Sequence, residues 1–137
     1  MNFEIKYKTF KRDKTSDELQ YNILLWLTNF ECISAEIVFI KNLLETYPFK
    51  SNVPNLFERL QLFKQDLSRF ESSKNKIVDK LYIFKNELSG MLECNDLSCD
   101  NFYVLEYEKN SEEVFNYMRD YKKLKTQLFE YITSITN

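Results

Sequence analysis

The stretch LQYNILLWLTNFECISAEIVFIKNLLETY, Leu19 to Tyr47, decides the fold. Leu19, Ile23, Trp26, Phe30, Ile33, Ile37, Ile40, Leu44 and Tyr47 alternate spacings of four and three without a miss. An α-helix turns once in about 3.6 residues, so this rhythm lays the apolar side chains along one seam. A second stripe runs on the same helix. Leu25, Cys32 and Phe39 recur at intervals of seven, with Leu24 and Val38 beside them. At about 100° per residue this stripe lies well round the cylinder from the first seam. A helix apolar on more than one side is expected to be buried on more than one side. The stretch therefore reads as a central helix with the others packed around it.

Working outward, Thr15 or Ser16 fits an N-cap, and Asp17 and Glu18 put negative charge where the helix dipole favours it. Helix one is expected over 16–47. Before it, residues 1–14 alternate Phe3, Ile5 and Tyr7 with Glu4, Lys6 and Lys8, ahead of Phe10. They read as an extended arm, or as a short strand if a partner edge exists. They hold no long apolar core of the kind a signal peptide needs.

After Tyr47, Pro48 and Pro54 bracket a turn, since proline stops one helix and fits the first turn of the next. Helix two is expected over 54–90. Leu56, Leu60, Phe63, Leu67, Phe70, Lys74, Ile77, Leu81, Phe84, Leu88 and Met91 keep the four-three rhythm straight through the polar run Glu71–Lys76. A loop there would lose phase, so the reading is one continuous helix of roughly 35 residues, about 52 Å long. Gly90 fits the position just past its end. Residues 91–100 form an acidic linker. A last helix over 100–136 carries Val114, Tyr117, Tyr121, Leu124, Leu128, Tyr131 and Ile135, with Met118, Phe129 and Ile132 widening the stripe. It either runs unbroken or restarts near Asn110, which would leave a short fourth helix at 100–109.

The fold expected is all-α. Short connections between long helices favour antiparallel neighbours, hence an elongated up-down-up bundle of three helices in a single domain spanning 1–137. One Gly and two Pro in 137 residues are too few for a sandwich or barrel, which needs turn residues roughly every ten positions. The abundance of Asn, Lys, Ile, Phe and Tyr points to an AT-rich, bacterial genome.

The same composition narrows the chemistry. There is no His, which removes Ser-His-Asp and Cys-His arrangements, His metal ligation and phosphorelay through His. A single Gly excludes glycine-rich phosphate loops. Carboxylate metal centres in bundles set Glu on the inward face with Glu-x-x-His motifs; here the inward positions of helix one are apolar. Cys94 and Cys99 stand as C-x4-C among carboxylates, which raise a thiol pKa, and Cys32 is on another helix. They read as incidental thiols in a reducing cytoplasm, the expected compartment. Glu31 interrupts the longest apolar run, so no membrane span is expected. A net charge of -2 gives no general drive toward nucleic acid. Arg119, Lys122, Lys123 and Lys125, interleaved with Tyr121 and Leu124, form a small basic patch that reads first as a solvated helix face. Lys74, the one charge on an apolar seam, reads as a packed stem with a hydrated ammonium.

No catalytic residue, metal or cofactor is expected. The functional expectation is a non-enzymatic helical bundle acting through protein–protein contact, as a homodimer or an adaptor. Leu24, Leu25, Cys32, Val38 and Phe39 would form its surface. Cover of that stripe by the arm or by Phe102–Tyr107 is the intramolecular alternative. The rival function is a small-molecule or lipid-binding bundle, with Trp26, Phe30, Phe70, Lys74 and Tyr121 lining an aromatic cavity.

Overall fold

The computed structural model describes residues 16–136. The arm or strand expected before residue 15 lies outside them. The described residues are helical, with no strand. Helix α1 is Ser16–Thr46, α2 is Leu56–Glu87 and α3 is Leu97–Ile135; a 3-10 segment, Leu88–Glu93, joins α2 to α3. The long-helix, all-α reading therefore holds.

The apolar rhythm of α1 has its expected consequence. Leu19, Ile23, Trp26, Phe30, Ile33, Ile37, Ile40 and Leu44 are all buried, as is Leu27. Facing them are Phe63, Leu67, Ile77, Leu81 and Phe84 of α2, with Val104, Tyr107, Val114, Tyr117, Tyr121, Leu124 and Leu128 of α3, in one core. Contacts between helices give the order of packing. Ser16 Oγ donates to the Leu88 carbonyl over 2.8 Å, Lys74 Nζ donates to Ser34 Oγ, and Lys41 and Lys64 pair with Glu71 and Glu45. Numbers rise on α1 as they fall on α2. The same holds between α2 and α3, where Phe63 meets Tyr131, Phe70 meets Tyr117 and Lys80 meets Glu113. Between α1 and α3 the numbers rise together, from Trp26 with Tyr107 to Glu36 with Tyr121.

Four points settle or correct the expectations. First, of the two readings of the last helix the unbroken one holds: there is neither a break near Asn110 nor a separate helix at 100–109. It is one 39-residue helix starting at Leu97, capped by the Asp96 side chain, which accepts from the Cys99 amide over 2.8 Å. An Asn at position 110 can cap a new helix, but here its side chain donates to the Glu106 carbonyl of the preceding turn, and the helix carries on. Second, Gly90 is not the residue that ends α2. That helix stops at Glu87, and Gly90 sits inside the 3-10 segment with no positive φ. It is there for space, because a Cβ on it would lie 2.5 Å from the Tyr103 hydroxyl.

Third, Cys94 and Cys99 are not separate thiols but a disulfide, with Cα atoms 5.4 Å apart. The chain turns between them from the 3-10 segment into the first turn of α3, and that corner brings the two together. Fourth, α1 does contain an 18-residue window of mean hydropathy 1.7, long and apolar enough by composition to cross a bilayer. Glu31 does not disqualify it. The core helix of a bundle passes the same test, and 39% of that window is buried against the rest of the chain.

Candidate contact surface

The side of α1 away from its seam carries exposed apolar residues. Leu24, Leu25 and Val38 are 49%, 45% and 53% exposed, and Phe39 is 65% exposed. Cys32 lies among them as an exposed free thiol, and Tyr21 extends the stripe by a turn. Along Tyr21, Leu25, Thr28, Cys32, Ala35 and Phe39 there is no charge. The expectation of a central helix buried on more than one side is thus not met among the described residues: one face of α1 is the core, and the other, apolar apart from Glu31, is exposed. The Phe102–Tyr107 segment does not cover it. Tyr107 packs instead on Trp26, with ring centroids 5.3 Å apart, and Asn22 Nδ2 donates to its hydroxyl over 3.0 Å.

One edge of this face descends into a groove of about 510 Å³ between α1 and α3. Trp26, Ile33 and Val114 are its buried floor, and Cys32, Phe115, Met118, Arg119 and Lys122 stand along its walls. At one end Glu36 of α1 is held by α3. Tyr121 donates to its Oε1 over 2.7 Å, and Lys125 Nζ lies 3.1 Å from both carboxylate oxygens. Burial, and then the hydrogen bond to the Glu36 carboxylate, push the Tyr121 phenol far above its usual pKa. The phenol is a fixed donor at any ordinary pH and is no general base.

The residues singled out for an aromatic cavity are placed differently from one another. Phe30 and Phe70 both set their ring edges against Tyr117, with centroids 5.2 and 5.4 Å away, and Phe70 also touches Tyr121. Trp26 lies on the groove floor. Lys74 is half-buried, and its ammonium reaches Ser34 on α1. Phe30, Phe70 and Tyr121 fill the space between the helices around Tyr117, while Trp26 stacks on Tyr107. In the basic patch, Tyr121 and Leu124 are buried, so they are turned away from Arg119, Lys122 and Lys123 and offer no ring for a base to stack on. Among the described residues no cluster of His, Cys, Asp or Glu could hold a metal ion.

The sequence reading missed Glu36, and with reason. One acidic residue on an otherwise apolar helix carries no mark of which helix will supply its partner. It also took Phe129 as part of the core stripe of α3. Phe129 is 45% exposed, and α3 shares with α1 and α2 the presence of exposed apolar residues, here Phe102, Leu105 and Phe129. Comparison with protein-family models, with curated proteins and with solved structures finds no match to this chain.

Proposed function

We propose that this chain is a non-enzymatic helical bundle that works by protein–protein contact, with the outward face of α1 as the docking surface. The observation that supports it is the exposure of Leu24, Leu25, Val38 and Phe39 on a helix whose opposite face is already the core. Isolated exposed apolar residues are common, but a stripe of them running several turns, broken only by Glu31 between Leu24 and Val38, is how contact surfaces are built. Occupants of this kind are another copy of the chain, as a homodimer, or a protein partner that lays an amphipathic helix along the stripe. The rival small-molecule reading has less behind it, because Phe30, Phe70 and Tyr121 are packed around Tyr117 and, of the proposed rings, Trp26 alone lines the groove.

The test is a pair of charges set into the stripe, Leu25→Asp with Phe39→Asp. Both sites are exposed, so the isolated fold should keep its helicity and lose little stability, within about 1 kcal/mol in all. Association, whether with itself or with a partner captured from its own cell, should be lost. An unchanged oligomeric state together with unchanged partner capture would end the proposal.

A further inference from the structure

The outer side of α3 has a periodic pattern of its own. Leu105, Glu108, Glu112, Phe115, Lys122 and Phe129 each follow a buried residue of α3 by one position. They therefore form a seam about 100° round the helix from the core. Apart from the half-buried Phe115 they are exposed. Arg119, also exposed, joins this seam by laying its guanidinium over the Phe115 ring, 5.9 Å from the centroid.

Charge on this seam is segregated. Glu108 and Glu112 are four apart, and Arg119 and Lys122 are three apart. Like charges at those spacings are neighbours on a helix and repel. Among the described residues no ion pair engages Glu108, Glu112 or Lys122, and Arg119 pairs only with the adjacent Asp120. The pattern is unfavourable within one chain and self-complementary between two. Place two α3 helices antiparallel with Phe115 facing its own copy. Glu112, three residues before Phe115, then meets Arg119, four residues after it. Glu108, seven before, meets Lys122, seven after. A single register brings both charge pairs together twice, once on each side of a two-fold axis. The seam from Leu105 to Phe129 is about 36 Å long at 1.5 Å per residue.

We infer that the occupant of this face is a second copy of the chain, packed α3 against α3 in antiparallel, two-fold symmetric fashion. The argument is charge complementarity on either side of Phe115, and a symmetric interface requires that kind of self-complementarity. The N-terminal stretch is a poor occupant for the basic half, since residues 1–14 hold five basic side chains and only two acidic ones. This surface is distinct from the α1 stripe, and the inference stands without the proposed function.

The experiment is a charge-swap series read by light scattering and analytical ultracentrifugation at low salt. The wild-type chain should have twice the monomer mass of 16.6 kDa. Glu108→Lys with Glu112→Lys places four cations opposite one another, and Arg119→Glu with Lys122→Glu does the same with anions. Each pair of changes should weaken the dimer by roughly 100-fold or more. Mixing the two variants should restore a mixed dimer, and so should combining all four changes in one chain. Circular dichroism on each variant checks that these exposed substitutions leave the fold intact. A wild-type monomer, or a dimer that ignores both swaps, overturns the inference. A dimer that ignores the swaps but breaks on Leu25→Asp with Phe39→Asp overturns it while leaving the α1 proposal standing.

Discussion

The Tyr121 hydroxyl on α3 donates to the Glu36 carboxylate on α1 over 2.7 Å, and Lys125 closes on the same carboxylate at 3.1 Å. Tyr121 is buried as a residue, and its hydroxyl is tied to Glu36 in a part-buried contact. Glu36→Ala leaves that hydroxyl unpaired and should cost about 2 kcal/mol, the usual penalty for an orphaned buried donor. Tyr121→Phe removes the hydroxyl itself and should cost about 1 kcal/mol. The ion pair with Lys125 is about one-third exposed on both sides and adds little. Because both changes act on the same bond, the double variant should lose less than their sum. Urea denaturation of the four proteins measures this; strict additivity would show that the contact is not made.

Tyr107 sets a limit on stability in alkali. Burial pushes its phenol up to about 12, and the hydrogen bond from Asn22 offsets only part of that. An unfolded tyrosine ionises near pH 10. The folded state holds the proton more tightly, so this contribution is complete below pH 10 and is lost as pH rises toward 12. Two units correspond to about 2.7 kcal/mol. Tyr117 and Tyr121 are raised in the same direction, chiefly by burial. Unfolding free energy should therefore fall steeply above pH 10, and Tyr107→Phe should make that fall shallower. A flat profile from pH 10 to 12 would contradict the burial of these phenols.

Gly90 is tied to Tyr103 by lack of room. Gly90→Ala puts a methyl 2.5 Å from the Tyr103 hydroxyl, and the ring must swing aside. Because the clash is with the end of a half-buried side chain, the cost should be modest, about 1 kcal/mol. Tyr103→Phe removes the clashing oxygen and should recover most of it in the double variant. Thermal melts of the two single variants and the double decide the matter. A loss of equal size with and without Tyr103→Phe would point instead to the backbone.

Cys94 and Cys99 close a loop of six residues. By loop entropy alone the bond should contribute about 2 kcal/mol. Cys94→Ser with Cys99→Ser should lower stability by that amount and leave the helices intact. Thiol titration of the unfolded protein gives the simpler reading: one reactive thiol, Cys32, before reduction and three after it. Three thiols without reductant would mean the bond does not form.

The long helices were legible because their information is local and repeated. The seam from Leu19 to Leu44 recurs for seven turns, and the phase of α2 survives Ser72 and Ser73 because helical rotation accumulates residue by residue. What could not be read depends on which elements meet. The disulfide needs the corner between the 3-10 segment and α3, and neither Cys94 nor Cys99 shows that corner in its neighbours. Gly90 looked like a helix end because glycine usually is one there; only Tyr103, thirteen residues on, explains it. Asn110 with Glu113 looked like a helix start, yet the buried run Val104, Tyr107, Ser111, Val114 is continuous through it. The exposed stripe of α1 was visible as a pattern, but its exposure was not, since a stripe of Leu25, Cys32 and Phe39 reads the same whether covered or bare.

The most direct test of that stripe as a docking face uses the thiol it already carries. Cys32 lies seven residues from both Leu25 and Phe39, is exposed in the chain alone, and has no competing free thiol while Cys94 and Cys99 are joined. Its alkylation rate should be measured in the native cell extract, for the wild-type chain and for Leu25→Asp with Phe39→Asp. With a second copy or another protein seated on the face, the wild-type thiol should react at least about tenfold more slowly than in the variant, matching a complex occupied nine-tenths of the time. Equal rates would mean that nothing covers the face, and would contradict the account.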